Sequence, residues 1–171
     1  MTNIRRYPNH GAPVFVTAVC RERTPFLKSP SSKELLLAVM REVKSETEFT
    51  MMAYVILDDH FHWLIKPKLK DISGVMQSVK LRFSRRFRTS HAESPIASCW
   101  QPRFWDHVVR DQKDLNRHLD YIHYNPVKHG YVRQASDFRF SSFATHVKRG
   151  GYDANWGNGI EPNALENMEF E

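Results

Sequence analysis

The chain has 171 residues, 41% of them hydrophobic and 12% aromatic, which is the makeup of one globular domain and excludes a wholly disordered or fibrous chain. No stretch approaches the ~18 apolar residues of a membrane span, and residues 1–10 carry no apolar core of a signal peptide. Lys and Arg number 25 against 19 acids, a formal charge of +6, and residues 153–171 hold five of those acids with no Lys or Arg.

Residues 1–152 therefore carry 25 cations against 14 anions, a net +11. A body this basic points to a polyanion partner, most simply nucleic acid. The expected organisation is one domain over 1–152 followed by an acidic, loosely held C-terminal tail over 153–171. Cys20 and Cys99 match no metal or redox spacing and read as reduced thiols of a cytoplasmic protein.

In chain order, Pro13 to Cys20 is rich in β-branched and aromatic residues and predicts a buried strand. Ser31 and Glu34 form a capping box, and Leu35, Leu36, Val39, Met40 and Val43 follow with helical period. Phe49 to Leu57 is a second strand, Asp58-Asp59 a tight turn, and His60 to Lys66 a third strand that completes a hairpin. Ile72, Val75, Met76, Val79, Phe83 and Phe87 mark one stripe of a long second helix whose outer surface carries Lys80, Arg82, Arg85, Arg86 and Arg88. A loop over 89–99 leads to a fourth strand, Phe104 to Val109. A third helix then starts near Asp111 and Asp114 and is expected to stop at about Asn125, before Pro126. The first six elements predict the α+β, ferredoxin-like split βαβ fold: an antiparallel four-stranded sheet with two helices on one face. The other face is left for the third helix or a ligand, and the fold itself names no function.

Two groups of residues suggest chemistry. Alternate residues of a strand share a face, so His60 and His62 point together while Phe61, Trp63 and Ile65 enter the core. Imidazoles about 7 Å apart along one strand can converge on a divalent cation; the same spacing suits two surface histidines. On the third helix, Tyr121 and Asn125 lie one turn apart on a polar flank, with Asp114 and His118 close by. That flank offers either a nucleophilic phenol beside an amide metal ligand, or an exposed Tyr packed on the sheet with Asn125 as a helix cap.

The motif His60-Phe61-His62 resembles the His-hydrophobe-His motif of the HUH-type single-tyrosine transposases. Trp100-Gln101-Pro102-Arg103-Phe104-Trp105-Asp106-His107 and Asp120-Tyr121-Ile122-His123-Tyr124-Asn125-Pro126-Val127-Lys128-His129-Gly130 are similar to the REP-associated tyrosine transposase branch. Arg5-Arg6-Tyr7 and Phe140-Ser141-Ser142-Phe143 suit it too, so the likeness covers nearly all of 1–152. The resemblance implies that His60, His62 and Asn125 hold a divalent metal, Mg²⁺ or Mn²⁺, and that Tyr121 is the nucleophile. Tyr124 is near in sequence but lies ~60° further round the helix. The implied activity is site-specific cleavage and rejoining of single-stranded DNA at REP-type hairpins through a 5′-phosphotyrosine intermediate, by a monomer with no protein partner evident.

Given such a substrate, the candidate DNA contacts are Arg5, Arg6, Arg82, Arg85, Arg86, Arg88 and Arg103, the helix arginines suiting a solvated face equally, with Trp100, Phe104 and Trp105 as stacking groups, the last two suited at least as well to the core. The acidic tail is either solvated and without function or folded over a basic groove where it competes with DNA. Two other readings stand beside this one: a hairpin-binding protein that has lost catalysis, and an RNA-binding ferredoxin-like module. The quartet His60, His62, Tyr121 and Asn125 weighs against the first, and the missing aromatic ribonucleoprotein signature against the second.

Overall fold

The computed structural model describes residues 11–68, 71–91 and 98–158, together with 162, 165, 168 and 170. The elements are β1 (Val14–Val19), α1 (Pro30–Thr47), β2 (Thr50–Ile56), β3 (His60–Lys66), α2 (Ile72–Ser90), β4 (Trp105–Val108), α3 (Gln112–Lys128) and the short α4 (Phe143–Lys148). All strand pairs are antiparallel, in the order β2-β3-β1-β4, as the ferredoxin-like arrangement requires. No helix among the described residues is long and apolar enough to cross a membrane.

Strand alternation splits the interior into two layers. Val14, Val16 and Ala18 of β1 and Phe61, Trp63 and Ile65 of β3 face α1 and α2, whose stripes (Leu36, Val39, Met40 and Val43; Val75, Met76, Val79 and Phe83) complete the larger core. The opposite face of the sheet presents Phe15, Ala53, Val55 and Leu64 to α3, which returns Tyr121, Ile122 and Tyr124. The third helix therefore covers the face that the two other helices leave open. Cross-strand register places Val19 opposite His60 and Thr17 opposite His62, and pairs Thr17 with Trp105 on its other side. His62, Thr17 and Trp105 thus form one row across three strands.

Three local expectations are corrected. The cap of α1 is Ser29, whose hydroxyl accepts from the Ser32 N–H at 3.1 Å; Pro30, needing no N–H partner, fills the first turn, and Glu34 instead pairs with Arg139. Helix α3 does not stop at Pro126 but continues to Lys128. Proline forfeits one intrahelical bond, yet its own carbonyl accepts from the Tyr131 N–H at 2.9 Å. The residues before it, Tyr121 to Asn125, are all buried, so packing holds the extra turn. Finally, the start of the expected tail is packed: Trp156 stacks on Phe143.

Candidate active site

His60 and His62 are buried on β3, with ring centroids 4.9 Å apart. Each is held from behind at Nδ1. His60 meets the Asp59 carboxylate at 2.6 Å, and His62 meets the Thr17 hydroxyl at 2.9 Å, the pairing that register dictates. With Nδ1–H donating, the lone pair of each ring sits on Nε2, the tautomer a metal ligand needs. The hydrogen bond from His60, opposed by burial and helped by the hydrogen bond and charge of Arg23, holds the Asp59 carboxyl below the usual carboxylate range. Phe15 stacks on His62 at 5.4 Å and fixes its tilt.

Helix α3 brings Tyr121 to this pair: its ring lies 5.1 Å from that of His62, edge to face. Asn125, one turn on, is 1% exposed, and neither its Oδ1 nor its Nδ2 has a hydrogen-bond partner. The same is true of His60 Nε2. A buried primary amide with both ends unsatisfied is costly and marks an absent ligand. Two imidazoles and an amide oxygen are a donor set that a divalent cation such as Mn²⁺ accepts, so these residues fit the metal that the resemblance implies.

Among the other expected DNA-binding residues, Trp100 is corrected. It is 2% exposed, wedged against Phe61 and Phe83 in the larger core, so its ring has no face for a base. The exposed indole is Trp105. Arg82 is tied to Glu42 and Glu46 of α1, and Arg86 to Glu42, which neutralises both cations at the α1–α2 seam. Arg85, Arg88 and Arg103 are exposed, and Arg88 lines a cavity of about 450 Å³ with Lys80, Gln101 and Phe104. Arg5 and Arg6 lie outside the described residues.

Several further groups surround the site, Thr17 and Asp59 among them unread from the sequence. Thr17 and Asp59 support the histidines, and only strand register or adjacency could have signalled them. His129, just after α3, places a third imidazole 5.6 Å from His60, and Lys128 sets its ammonium 5.3 Å from the Tyr121 ring centroid. His107, Asp114 and His118 offer ligand atoms all within 4.8 Å of one another, a group whose chemistry also suits a cation. Here the bonding runs inward. Asp114 Oδ2 accepts from His107 Nε2 at 2.7 Å and the Arg110 N–H at 2.9 Å, and His118 Nδ1 donates to the Asp114 carbonyl at 2.8 Å. Burial works to raise the Asp114 pKa, but these bonds and the two imidazoles outweigh it and hold it at about 2. The cluster therefore staples β4 to the helix that carries Tyr121. Above it lies the end of the chain: the Phe170 N–H reaches the Tyr121 hydroxyl at 3.4 Å, and Leu165 and Met168 are buried against the same layer.

Paired histidines on a central strand, facing a tyrosine and an amide on a covering helix, define a single-tyrosine transposase, and the family described as transposase IS200 like matches residues 12–125. The REP-associated tyrosine transposase of Escherichia coli (strain K12) is 36% identical over 162 residues, covering 94% of this chain and 93% of that protein. A Haemophilus influenzae (strain Rd) relative is 37% identical over 169 residues, covering 92% of this chain and 94% of its own length. A solved structure of a REP-associated tyrosine transposase bound to a REP hairpin superposes with a TM-score of 0.79 at 34% identity, over 99% of each chain. The chain belongs to the REP-associated tyrosine transposases and is a transposase enzyme.

Proposed function

We propose that the protein is a divalent-metal-dependent, site-specific single-strand DNA endonuclease and strand transferase. It acts beside REP-type hairpins through a covalent 5′-phosphotyrosine. The observation that carries this reading is the meeting of His62 and Tyr121 beside the unsatisfied amide of Asn125. The hairpin substrate is supported by the likeness to the solved transposase bound to one. The protein works in the cytoplasm as a monomer whose own helix supplies the nucleophile.

His60, His62 and Asn125 would hold the cation; when bound, it polarises the scissile phosphate and takes up charge on the leaving oxygen. The chain's residues do the rest. Tyr121 Oη forms a bond to phosphorus as the P–O3′ bond breaks, so the electron pair and a proton pass to the 3′ oxygen and the 5′ end stays on the enzyme. A phenol of pKa ~10 is mostly protonated at neutral pH, so the Tyr121 proton leaves as its oxygen bonds to phosphorus. Since the new phosphodiester conserves the energy of the old one, attack by another 3′-OH reverses the step and joins strands. No nucleotide triphosphate is consumed.

The test is a denaturing gel. Labelled REP-type hairpin DNA with a short single-stranded foot is incubated with protein and Mn²⁺. An adduct that vanishes in Tyr121→Phe but survives in Tyr124→Phe supports the reading. Tight hairpin binding without an adduct under Mn²⁺ or Mg²⁺ overturns it.

A further inference from the structure

Phe170 sits in a stack beside the catalytic tyrosine. Its ring lies 4.7 Å from Trp105 at an interplanar angle of 26° and 5.3 Å from His118 at 22°. It meets Tyr121 edge-on at 5.1 Å. Against it opens a cavity of about 250 Å³ lined by Thr17, Val19, Arg103, Phe104 and Trp105. That is smaller than a drug-sized pocket (~300–1,000 Å³) and suits one flat ring system.

Three features fit this slot to a nucleobase. Trp105 is 42% exposed, although an indole gains from burial and usually finds cover. The row His62–Thr17–Trp105 puts the indole two strand spacings, roughly 10 Å, from the histidine that faces the nucleophile. That is the reach of a nucleotide next to a phosphate held at the histidine pair. Arg103 brings a cation to the same wall, and indole faces bind single strands by stacking.

The geometry points to this slot as the pocket for the nucleobase flanking the cleaved phosphodiester. Trp105 stacks on the face of the base. Phe170 fills the place of the base when DNA is absent. The inference rests on the DNA-cleaving reading above and deepens it by naming the groups that hold one nucleotide.

The experiment measures binding of hairpin DNA to the full chain, with the nucleotides on either side of the cleaved bond intact or replaced one at a time by an abasic site. For one of the two positions, loss of the base weakens wild-type binding roughly 10-fold. Trp105→Ala weakens binding of intact DNA by the same factor and leaves binding of that abasic DNA unchanged. Phe170→Ala tightens binding of intact DNA only. If Trp105→Ala weakens intact and abasic DNA equally, or neither, the slot is not a base pocket, whatever the fate of the Tyr121 adduct. An absent adduct with a base-specific Trp105 effect overturns the cleavage reading alone.

Discussion

The ring of His62 meets the ring of Tyr121 edge to face, 5.1 Å between centroids and 72° between planes, and Thr17 decides how that histidine is turned. Thr17 lies directly across from His62 in the β1–β3 ladder, so its hydroxyl reaches Nδ1 without any loop to position it. Supports of this kind typically contribute 10- to 100-fold to metal affinity. Thr17→Val keeps shape and strand preference but removes the hydroxyl. We expect Mn²⁺ affinity, by titration calorimetry, to fall about 10-fold or more while the melting temperature stays near wild type. Unchanged Mn²⁺ binding in this variant would mean that the ring needs no support or does not bind metal.

The cations of α2 divide by partner, and DNA affinity should divide with them. Arg82 and Arg86 are bonded to Glu42 and Glu46, and the bond from Arg86 is the leading reason the Glu42 carboxyl lies below its usual range. Arg85 is exposed and Arg88 lines the cavity shared with Lys80 and Phe104. Removing a cation that neutralises a phosphate lowers the slope of log affinity against log salt by about 1. Arg88→Ala and Arg85→Ala are expected to do so, whereas Arg82→Ala and Arg86→Ala leave the slope nearly unchanged. A hairpin titration at three salt concentrations separates them.

The fold was legible because strand alternation and helical stripes dominate the sequence: Phe61, Trp63 and Ile65 are core and His60 and His62 are not, as period two demands. The meeting of His62 with Tyr121 follows once α3 is assigned to the open face. What stayed hidden depends on partners remote in the chain. Nothing local distinguishes Trp100, locked between Phe61 and Phe83, from Trp105, on the edge strand with its ring partly exposed. Likewise Arg82 looks as free as Arg85 until α1 supplies its two glutamates. Pro126 misled for a related reason, since a buried flank outweighs one missing helical bond.

Two buried groups predict acid sensitivity in separate windows. Burial, with a smaller push from His146, lowers the pKa of His123 to about 3 from its ordinary 6.5. The unfolded chain therefore takes up a proton that the fold refuses, and this contribution to stability is full above pH ~6.5 and lost as pH falls toward 3. Asp114, held at about 2 against an ordinary 3.8, contributes stability that is full above pH ~4 and lost as pH falls through 2. Melting temperature against pH should thus fall in two stages. His123→Gln should flatten the first and Asp114→Asn the second; a variant that flattens the other's window refutes the assignment.

The end of the chain should restrain the enzyme. The Phe170 N–H points at the Tyr121 hydroxyl, Lys128 Nζ donates to the Met168 carbonyl at 3.4 Å, and Tyr121 is 1% exposed beneath them. On the proposed mechanism the Tyr121 oxygen must meet a phosphate, so DNA and these residues would exclude one another. Apparent affinity and rate then scale with the fraction of molecules whose tail is displaced. Removing 153–171 would also take Trp156 from its stack on Phe143 and confuse stability with access. A stop after residue 158 avoids that loss. It is expected to speed adduct formation roughly 10-fold and to leave the Mn²⁺ requirement intact. Glu161, Glu166, Glu169 and Glu171 all lie in the deleted segment. Replacing these four by Gln in the full chain separates charge from occlusion: a rate near wild type assigns the restraint to the bulk of Phe170 and Met168. A rate near that of the truncated chain assigns it to repulsion of DNA. If the truncated and full chains cleave at one rate, the tail does not guard the tyrosine.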